Sequence, residues 1–399
     1  MSRISRSSLI VAVLAALAAL VAGPTACTGE GPVEVGAVLP LTGEFALYGE
    51  PIRQGIELAY EQVQADEDLD FEIALEIADS ASDPAQAAEA AARLYSEGSV
   101  AVIGGVTTDE ALAMIAAADR EVKVLLSPSA SSPRLTGISR NFFRVYPSDF
   151  REGTKMGNFA AQTLGIESAV IVAAESPFAR GIQDIFKTEF ERYGGEAPAV
   201  IEYPPESENF EPIVAQALEL RPEAVYVADY ARNTARIVQT LRAQNYGGKI
   251  LVTSAFAAPD VLEEVGPAAE AVLVTQTAMP PDEPAVASFS QAFAAKHGHP
   301  PSIWAAHGYD ALMVLVEAMR EGGTRPDDVW KGMRSIRNFQ GASGVIQFDE
   351  RGDVGKYPRT FVVRNGELVD YERAVEAERQ EILRRIEQLH RASRSGTGG

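Results

Sequence analysis

Cysteine and histidine are scarce in this chain of 399 residues, and their scarcity excludes two kinds of site. The single cysteine, Cys27, has no partner for an intramolecular disulfide. The four histidines do not show metal-ligand spacing, since His297 and His299 flank a glycine as in a loop, and His307 and His390 stand alone. We therefore expect neither a structural disulfide nor a metal site.

The usual signatures of nucleotide-dependent and hydrolytic enzymes are also missing. The chain has no GxxxxGK[ST] loop, no GxGxxG that opens a helix after a strand and no GxSxG elbow. A hydrolase, the weakest of three functional hypotheses, would therefore have no recognisable nucleophile. We expect a protein that is not an enzyme and that carries no cofactor.

Positive charge is in short supply. The chain has 35 Lys and Arg against 56 Asp and Glu, which gives a formal net charge of −21. Removing residues 1–26 takes away only Arg3 and Arg6 and makes this charge −23. Nucleic acids and anionic membrane surfaces are bound largely through clustered basic groups. We therefore expect no nucleic-acid partner and no polybasic contact with lipid.

The N-terminus has the pattern of an export signal. Two arginines precede the apolar run Leu9–Ala22, which is too short to span a bilayer comfortably, and small residues follow it up to Cys27. A lone cysteine at this place resembles the acylated cysteine of a bacterial lipoprotein, although Pro24 departs from that pattern. We expect a signal peptide over 1–26, a lipid anchor on Cys27, and a periplasmic or cell-envelope lipoprotein. The alternative is an ordinary secretory signal that leaves Cys27 as a free thiol.

From Val33 to Thr253 apolar runs alternate with amphipathic segments, which is typical of parallel sheets with helices on both faces. Proline interrupts the pattern near Arg144–Asp149 and Gln276–Pro281, as expected where a chain leaves one lobe and later returns to it. Beyond Asp370 the composition becomes highly charged, and we expect a helix and a flexible tail over 371–399. This helix has a narrow apolar stripe, and it either packs once on the body or binds a partner.

One stretch, Val100–Pro133, predicts a binding site. Two short apolar runs that read as buried strands end in Gly-Gly-Val-Thr-Thr and in Ser-Pro-Ser-Ala-Ser-Ser. Ligands of open α/β sheets bind beyond the carboxyl ends of such strands. Thr107 and Glu110 have the spacing of a capping box, and the exposed N–H groups of a helix start suit an anion. The pattern predicts a carboxylate pocket without Arg or Lys; alternatively, Thr107 only caps its helix and the serines fill a loop.

Five segments follow one another along the chain: VGAVLPLTGEFALYGEPIRQGIELA, IADSASDPAQAA, VIGGVTTDEA, LLSPSASSP and FFRVYPSD. In order and spacing they resemble segments of the type I periplasmic solute-binding proteins of branched-chain amino acid (Leu/Ile/Val) ABC transporters. The resemblance runs from about Val33 to Asn365. It implies two Rossmann-like lobes joined by three crossover strands. The implied lobes are 33–147 plus 279–356 and 148–278 plus 357–370.

The resemblance also implies a ligand site between the lobes. Loop hydroxyls and N–H groups would hold a carboxylate, and aromatic side chains would close the cleft. An acidic residue that grips an ammonium in amino-acid-binding members is replaced here by Ala255, so Asp229 or Glu175 would substitute, or the ligand has no ammonium. The implied ligand-binding positions are Tyr48, Val106, Thr107, Thr108, Ser129, Ala130, Ser131, Phe178, Tyr230, Ala255 and Trp304.

These observations predict the substrate-binding component of an ABC importer, which captures a small carboxylate-bearing solute (an amino acid or related carboxylate or amide) and delivers it to a membrane permease. The alternative is an outer-membrane lipoprotein of the same fold that acts as a protein-interaction module or activates a cell-wall synthase. The segment after Asp370 and the missing acid at Ala255 favour this alternative. The hydroxyls at Thr108, Ser129 and Ser131 favour the importer.

Overall fold

Two β-sheets, each flanked by helices, organise the computed structural model, which describes residues 31–395. The proposed signal peptide, its Cys27 and residues 396–399 lie outside this range, as does the side chain of Leu389 from the apolar stripe. No helix within the described range is both long and apolar enough to cross a membrane.

The first sheet has five parallel strands in the order β2-β1-β3-β4-β5. Two of its three inner strands, β3 and β4, are buried along their whole length, as the uninterrupted apolar runs predict. The elements of this part of the chain are β1 (Val33–Leu39), α1 (Ala46–Gln64), β2 (Ile73–Asp79), α2 (Pro84–Glu97), β3 (Ala101–Gly104), α3 (Thr108–Glu121), β4 (Val124–Ser127) and β5 (Phe142–Arg144).

The second sheet has seven strands in the order β14-β13-β10-β9-β8-β6-β7. Five strands are parallel, and the last two, β13 and β14, are antiparallel to their neighbours. The elements are α4 (Asp149–Asn158), β6 (Ala169–Ala174), α5 (Pro177–Arg192), β7 (Val200–Tyr203), α6 (Glu211–Glu219), β8 (Ala224–Ala228), α7 (Ala231–Ala243), β9 (Lys249–Val252), α8 (Pro259–Val265), β10 (Leu273–Gln276), β13 (Arg359–Arg364) and β14 (Glu367–Asp370).

Between β10 and β13 the chain returns to the first sheet. Helix α10 packs so closely on α1 that neither helix has room for a side chain where they cross. A Cβ on Gly55 would lie 2.0 Å from the carbonyl oxygen of Ala305, and a Cβ on Gly308 would lie 2.3 Å from the carbonyl oxygen of Ile52. Glycine is therefore required on both helices of this crossing. The elements here are α9 (Pro284–His297), α10 (Ile303–Gly322), α11 (Pro326–Ser335), β11 (Phe339–Gly341) and β12 (Gly344–Ile346).

The predicted alternation of strands and helices is confirmed, with a few differences. No clear sequence signal marks the short elements α11, β11 and β14. The sequence pattern predicts one helix over Phe150–Leu164, but α4 ends as an α-helix at Asn158, and the chain continues as a single π-helical turn, Phe159–Thr163. The chain crosses between the two sheets after β5, after β10 and before β13. The exact residue bounds of the two lobes remain a prediction.

The charged C-terminal segment forms α12 (Tyr371–Ser395). Its first turn packs on the body, where the Tyr371 ring meets Phe159 edge-on at 4.8 Å between centroids. Further along, the stripe residues Val375, Ile382, Leu383 and Ile386 are each between 43% and 52% exposed. The first turn of this helix therefore packs, and these four stripe residues are exposed.

Candidate functional site

The two loops that follow β3 and β4 lie side by side. Val102 pairs with Leu125 and Ile103 with Leu126, so both strands end at the same edge of the first sheet. We call the two loop segments Val106–Thr108 and Ser129–Ser131 the hydroxyl rim. All six residues are buried. Parallel pairing therefore brings together the rim residues that the sequence singled out.

Thr107 is the N-cap of α3, and the predicted capping box is confirmed. The Thr107 hydroxyl accepts the N–H of Glu110 at 3.2 Å, and Glu110 Oε2 accepts the N–H groups of Val106 and Thr107, both at 3.1 Å. Burial raises the pKa of Glu110, and these hydrogen bonds oppose that shift. Two rim N–H groups are thus already used to start the helix.

The other rim groups differ in how they are paired. Ser129 donates its hydroxyl to the Val106 carbonyl at 2.7 Å, and Ser131 donates to Asp149 Oδ2 at 2.9 Å. The Thr108 N–H donates to the hydroxyl of Tyr230 at 3.2 Å. Thr108 Oγ1 is buried and makes no hydrogen bond of acceptable geometry, although it lies near the hydroxyl of Tyr230. An unpaired buried hydroxyl at a helix start is a costly feature that a ligand could satisfy.

A buried arginine supports the serine loop from behind. Arg144 is fully buried and pairs with both oxygens of Asp353, at 2.7 and 3.0 Å. It also donates to the carbonyls of Ala130 and Ser132, at 3.3 and 3.0 Å. Sequence reasoning expected no Arg or Lys at this pocket, and it missed this cation. Arg144 holds the backbone of the loop, and its guanidinium is directed to Asp353.

Four predicted aromatic residues lie in one buried group that spans the two sides of the molecule. Tyr230 stacks on Phe178 at 4.6 Å and lies 6.2 Å from Tyr48, and Tyr48 meets Trp304 edge-on at 5.1 Å. Trp304 in turn stacks on Tyr146 at 5.6 Å. Tyr48 and Trp304 come from α1 and α10, whereas Phe178 and Tyr230 come from the second sheet's side.

Tyr48 connects the two sides directly. Its hydroxyl donates to the carbonyl of Ala255 at 3.0 Å and accepts the N–H of Ala231 at 2.9 Å. Burial raises the pKa of Tyr48, so the hydroxyl remains protonated and able to donate. Ala255 therefore contributes its backbone oxygen to a contact with the opposite side.

The two acids expected to replace the one missing at Ala255 are differently placed. Asp229 is buried, but Tyr203 and Asn233 donate to its Oδ2 at 2.7 and 2.9 Å, and its Oδ1 accepts the N–H of Tyr230 at 2.6 Å. Burial raises the pKa of Asp229 to about 6. Glu175 has an exposed side chain and lies outside the buried group.

Sequence reasoning missed a second pair of acids. Asp149 and Glu152 lie on the first turn of α4, and they are only 1% and 4% exposed. Glu152 Oε1 accepts the N–H of Ser254 at 2.7 Å, beside Ala255. The signal was present in Ser148-Asp149-Phe150-Arg151-Glu152, where two acids one helical turn apart follow a helix cap and a crossover.

The fold and the site define a class: a two-lobed α/β protein whose buried polar and aromatic groups meet between its two sheets. Comparison with known proteins gives the family. A family model described as "Periplasmic binding protein" matches residues 32–363, and the chain belongs to this family.

Solved structures and curated relatives that resemble this chain agree with this family assignment. A leucine binding protein of Thermotoga maritima is 29% identical with a TM-score of 0.80, over 85% of this chain and 97% of that one. A solute binding protein of R. palustris in complex with benzoate is 23% identical with a TM-score of 0.78, over 86% and 96%. The "Leu/Ile/Val-binding protein homolog 3" of Brucella melitensis is 23% identical over 326 residues, which are 81% of this chain and 88% of the relative.

Family membership confirms several expectations. The fold is that of a type I periplasmic binding protein, and the family consists of non-enzymatic solute-binding proteins of ABC transporters. The family consists of periplasmic proteins, which agrees with the predicted export. The ligand-binding residues remain predictions.

Proposed function

We propose that this protein captures a small carboxylate-bearing solute between its lobes and delivers it to a membrane permease. One observation carries the proposal: Thr108 places a buried, unpaired hydroxyl at the N-terminus of α3, next to the serines of the hydroxyl rim. Neutral donors at a helix start stabilise an anion without a buried cation.

The relatives support a carboxylate as the common chemical feature. The T. maritima protein is described as binding leucine, and the R. palustris structure contains benzoate. The two ligands share a carboxylate group and little else. The hydroxyl rim would hold this group, and the aromatic group of Tyr48, Phe178, Tyr230 and Trp304 would surround the rest of the solute.

A thermal-shift screen of amino acids, keto acids, aromatic acids and amides tests this proposal. A solute at 100 times its dissociation constant should add about 2.7 kcal/mol to the free energy of unfolding. Thr108→Val and Ser131→Ala should each weaken binding by about 1.5–3 kcal/mol, because each removes a hydrogen bond to a charged group. Thr188→Val, at an exposed position of α5, is the matched control. Unchanged affinity in both rim variants would remove the rim from the site.

We also propose that the mature protein is held at the membrane by a lipid on Cys27, which lies outside the described residues. In cells, the protein should partition with membranes, and Cys27→Ala should move it to the soluble fraction. A Cys27→Ala protein that stays with the membranes would contradict the anchor without affecting the proposed ligand.

A further inference from the structure

Two buried carboxyl groups at the start of α4 lack a cationic partner. Among the residues that the structure describes, no Lys, Arg or His nitrogen lies within ion-pair distance of Asp149 or Glu152. Arg144 is close enough to oppose the rise in the pKa of Asp149, but it forms its ion pair with Asp353. Burying a carboxylate without a partner cation is strongly unfavourable.

Unpaired hydroxyls surround these acids. Asp149 Oδ1 has no hydrogen-bond partner, and neither do the buried hydroxyls of Tyr146, Thr275 and Thr277. Although these contacts miss hydrogen-bond geometry, the Thr275 hydroxyl is close enough to lower the pKa of Glu152, and the hydroxyls of Ser254 and Thr277 lower that of Tyr146, so these groups are neighbours. We call Tyr146, Asp149, Glu152, Ser254, Thr275 and Thr277 the carboxyl cluster. Within this cluster Ser254 donates its N–H to Glu152, and Asp149 Oδ1 receives no hydrogen bond.

The carboxyl cluster adjoins the hydroxyl rim. Ser131 belongs to the rim, its hydroxyl donates to Asp149 Oδ2 at 2.9 Å, and its carbonyl accepts the N–H of Asp149 at 2.8 Å. The rim and the carboxyl cluster therefore meet at Ser131, whose hydroxyl proton is directed to Asp149. An α-amino acid presents its carboxylate and its ammonium on one carbon atom, which matches this adjacency.

We propose that Asp149 and Glu152 together bind the ammonium of an α-amino acid whose carboxylate lies on the hydroxyl rim. This inference rests on the proposed function and narrows its ligand class. Glu152 reaches the N–H of Ser254 at 2.7 Å, so an acid from α4 occupies the neighbourhood of Ala255. The charge that Ala255 cannot provide is thus supplied by another element.

Asp229 is less suited to this role. Both of its oxygens already accept hydrogen bonds, from Tyr203, from Asn233 and from the N–H of Tyr230. Asp149 has one oxygen without a hydrogen bond, and Glu152 accepts a neutral backbone N–H but has no positively charged partner. A ligand cation therefore gains more at the carboxyl cluster than at Asp229.

Binding of an ammonium should also release protons. Burial raises the pKa of Asp149 to about 7 and that of Glu152 well above its usual range, and the charge of Asp149 further disfavours ionisation of Glu152. The titratable groups that face the pair are Tyr146 and Tyr226, with Arg144 on the side of Asp149. An arriving cation favours the ionised acids, so their protons pass to the buffer.

Calorimetric titration with the twenty common amino acids tests the inference. The tightest binder is compared with its 2-hydroxy acid analogue, in which a hydroxyl replaces the ammonium. We expect the amino acid to bind at least about tenfold more tightly, the difference that one charge-assisted contact provides. Glu152→Gln should bring this ratio close to one, and Glu202→Gln, an exposed change on β7, should preserve it.

Two buffers of different ionisation enthalpy provide a second measurement on the unmodified protein. Proton release near pH 6.5 supports the inference and does not depend on whether Glu152→Gln folds. Equal affinity for the amino acid and its hydroxy analogue would overturn it, as would an unchanged ratio in folded Glu152→Gln. The proposed function would still stand in both cases if carboxylates bind, whereas no binding of any carboxylate would overturn the proposed function itself.

Discussion

The hydroxyl rim and the carboxyl cluster are adjacent, yet the protein treats their polar groups in opposite ways. In the rim most donors are paired internally: Glu110 accepts two N–H groups, and Ser129 donates to a carbonyl. In the cluster, several hydroxyls and one carboxylate oxygen have no partner. The rim is held in place by internal hydrogen bonds and has one unpaired hydroxyl. The cluster contains several buried polar groups that make no hydrogen bond.

This difference suggests two roles: the hydroxyl rim positions groups of the protein, and the carboxyl cluster has groups left to pair with a ligand. Internal hydrogen bonds fix the shape of the rim, so it can present a few groups in defined positions. Unsatisfied buried groups cost free energy in the unliganded protein, and that cost is recovered when a ligand pairs with them. The four predictions that follow test this contrast.

The largest effect should follow the loss of the buried ion pair behind the rim. Arg144→Ala leaves Asp353 unpaired and frees two loop carbonyls, so it should lower the free energy of unfolding by about 3–5 kcal/mol. Urea denaturation measures the change. Arg180→Ala removes an exposed pair with Glu202 and should cost at most about 1 kcal/mol. Similar losses in both variants would show that the rim does not depend on its buried support.

The carboxyl cluster should make stability depend on pH. An acid whose pKa is raised in the folded state holds its proton more tightly there than in the unfolded chain, so stability falls as pH rises between the two pKa values. For Asp149 this window runs from its ordinary pKa, near 4, to about 7. The free energy of unfolding should fall by up to about 1.4 kcal/mol per pH unit for each such proton.

The double variant Asp149→Asn, Glu152→Gln lacks both acids, so their titration no longer contributes to the pH dependence of its stability. Urea denaturation between pH 4 and pH 8 should therefore show the variant gaining stability relative to the unmodified protein as pH rises. The facing groups Tyr146, Tyr226 and Arg144 are the same in both proteins. If the free energies of unfolding of the two proteins changed in parallel with pH, the pKa values of the two acids would not be raised by burial.

Tyr48→Phe should weaken the connection between the two sides of the molecule. The change leaves the Ala231 N–H and the Ala255 carbonyl without their shared partner, at an expected cost of about 1–3 kcal/mol. Small-angle X-ray scattering should show a larger radius of gyration for the unliganded variant. Tyr193→Phe, on the partly exposed end of α5, serves as the control. An unchanged radius would show that this contact does not hold the lobes together.

The smallest effect distinguishes two neighbouring threonines of the rim. Thr107→Ala removes the N-cap of α3 and should cost about 0.5–2 kcal/mol. Thr108→Val removes a buried hydroxyl that has no partner, so the unliganded protein should be equally stable or slightly more stable. Thermal denaturation of both variants decides the matter. Destabilisation by Thr108→Val would reveal an internal role for its hydroxyl.

The fold was largely predictable, because alternation of apolar strands and amphipathic helices is a local property. The capping box was predictable for the same reason, since Thr107 and Glu110 are three residues apart. The grouping of Tyr48, Phe178, Tyr230 and Trp304 came from the resemblance, and the structure brings these rings together. Arg144 was missed because nothing in its local sequence shows that a charged side chain is buried there. The local sequence around Glu152 marks a helix start with two acids, but it does not show that Glu152 meets Ser254.

The sequence by itself determined the order of elements, the start of α3 and the two polar loops, because each depends on residues within one or two helical turns. Only the tertiary structure decided which charged groups are buried together. Glu152 is 102 residues from Ser254 along the chain, and Arg144 is 209 residues from Asp353. Such pairs form when separate lobes fold and cross, and burial then determines the charge that each group can carry.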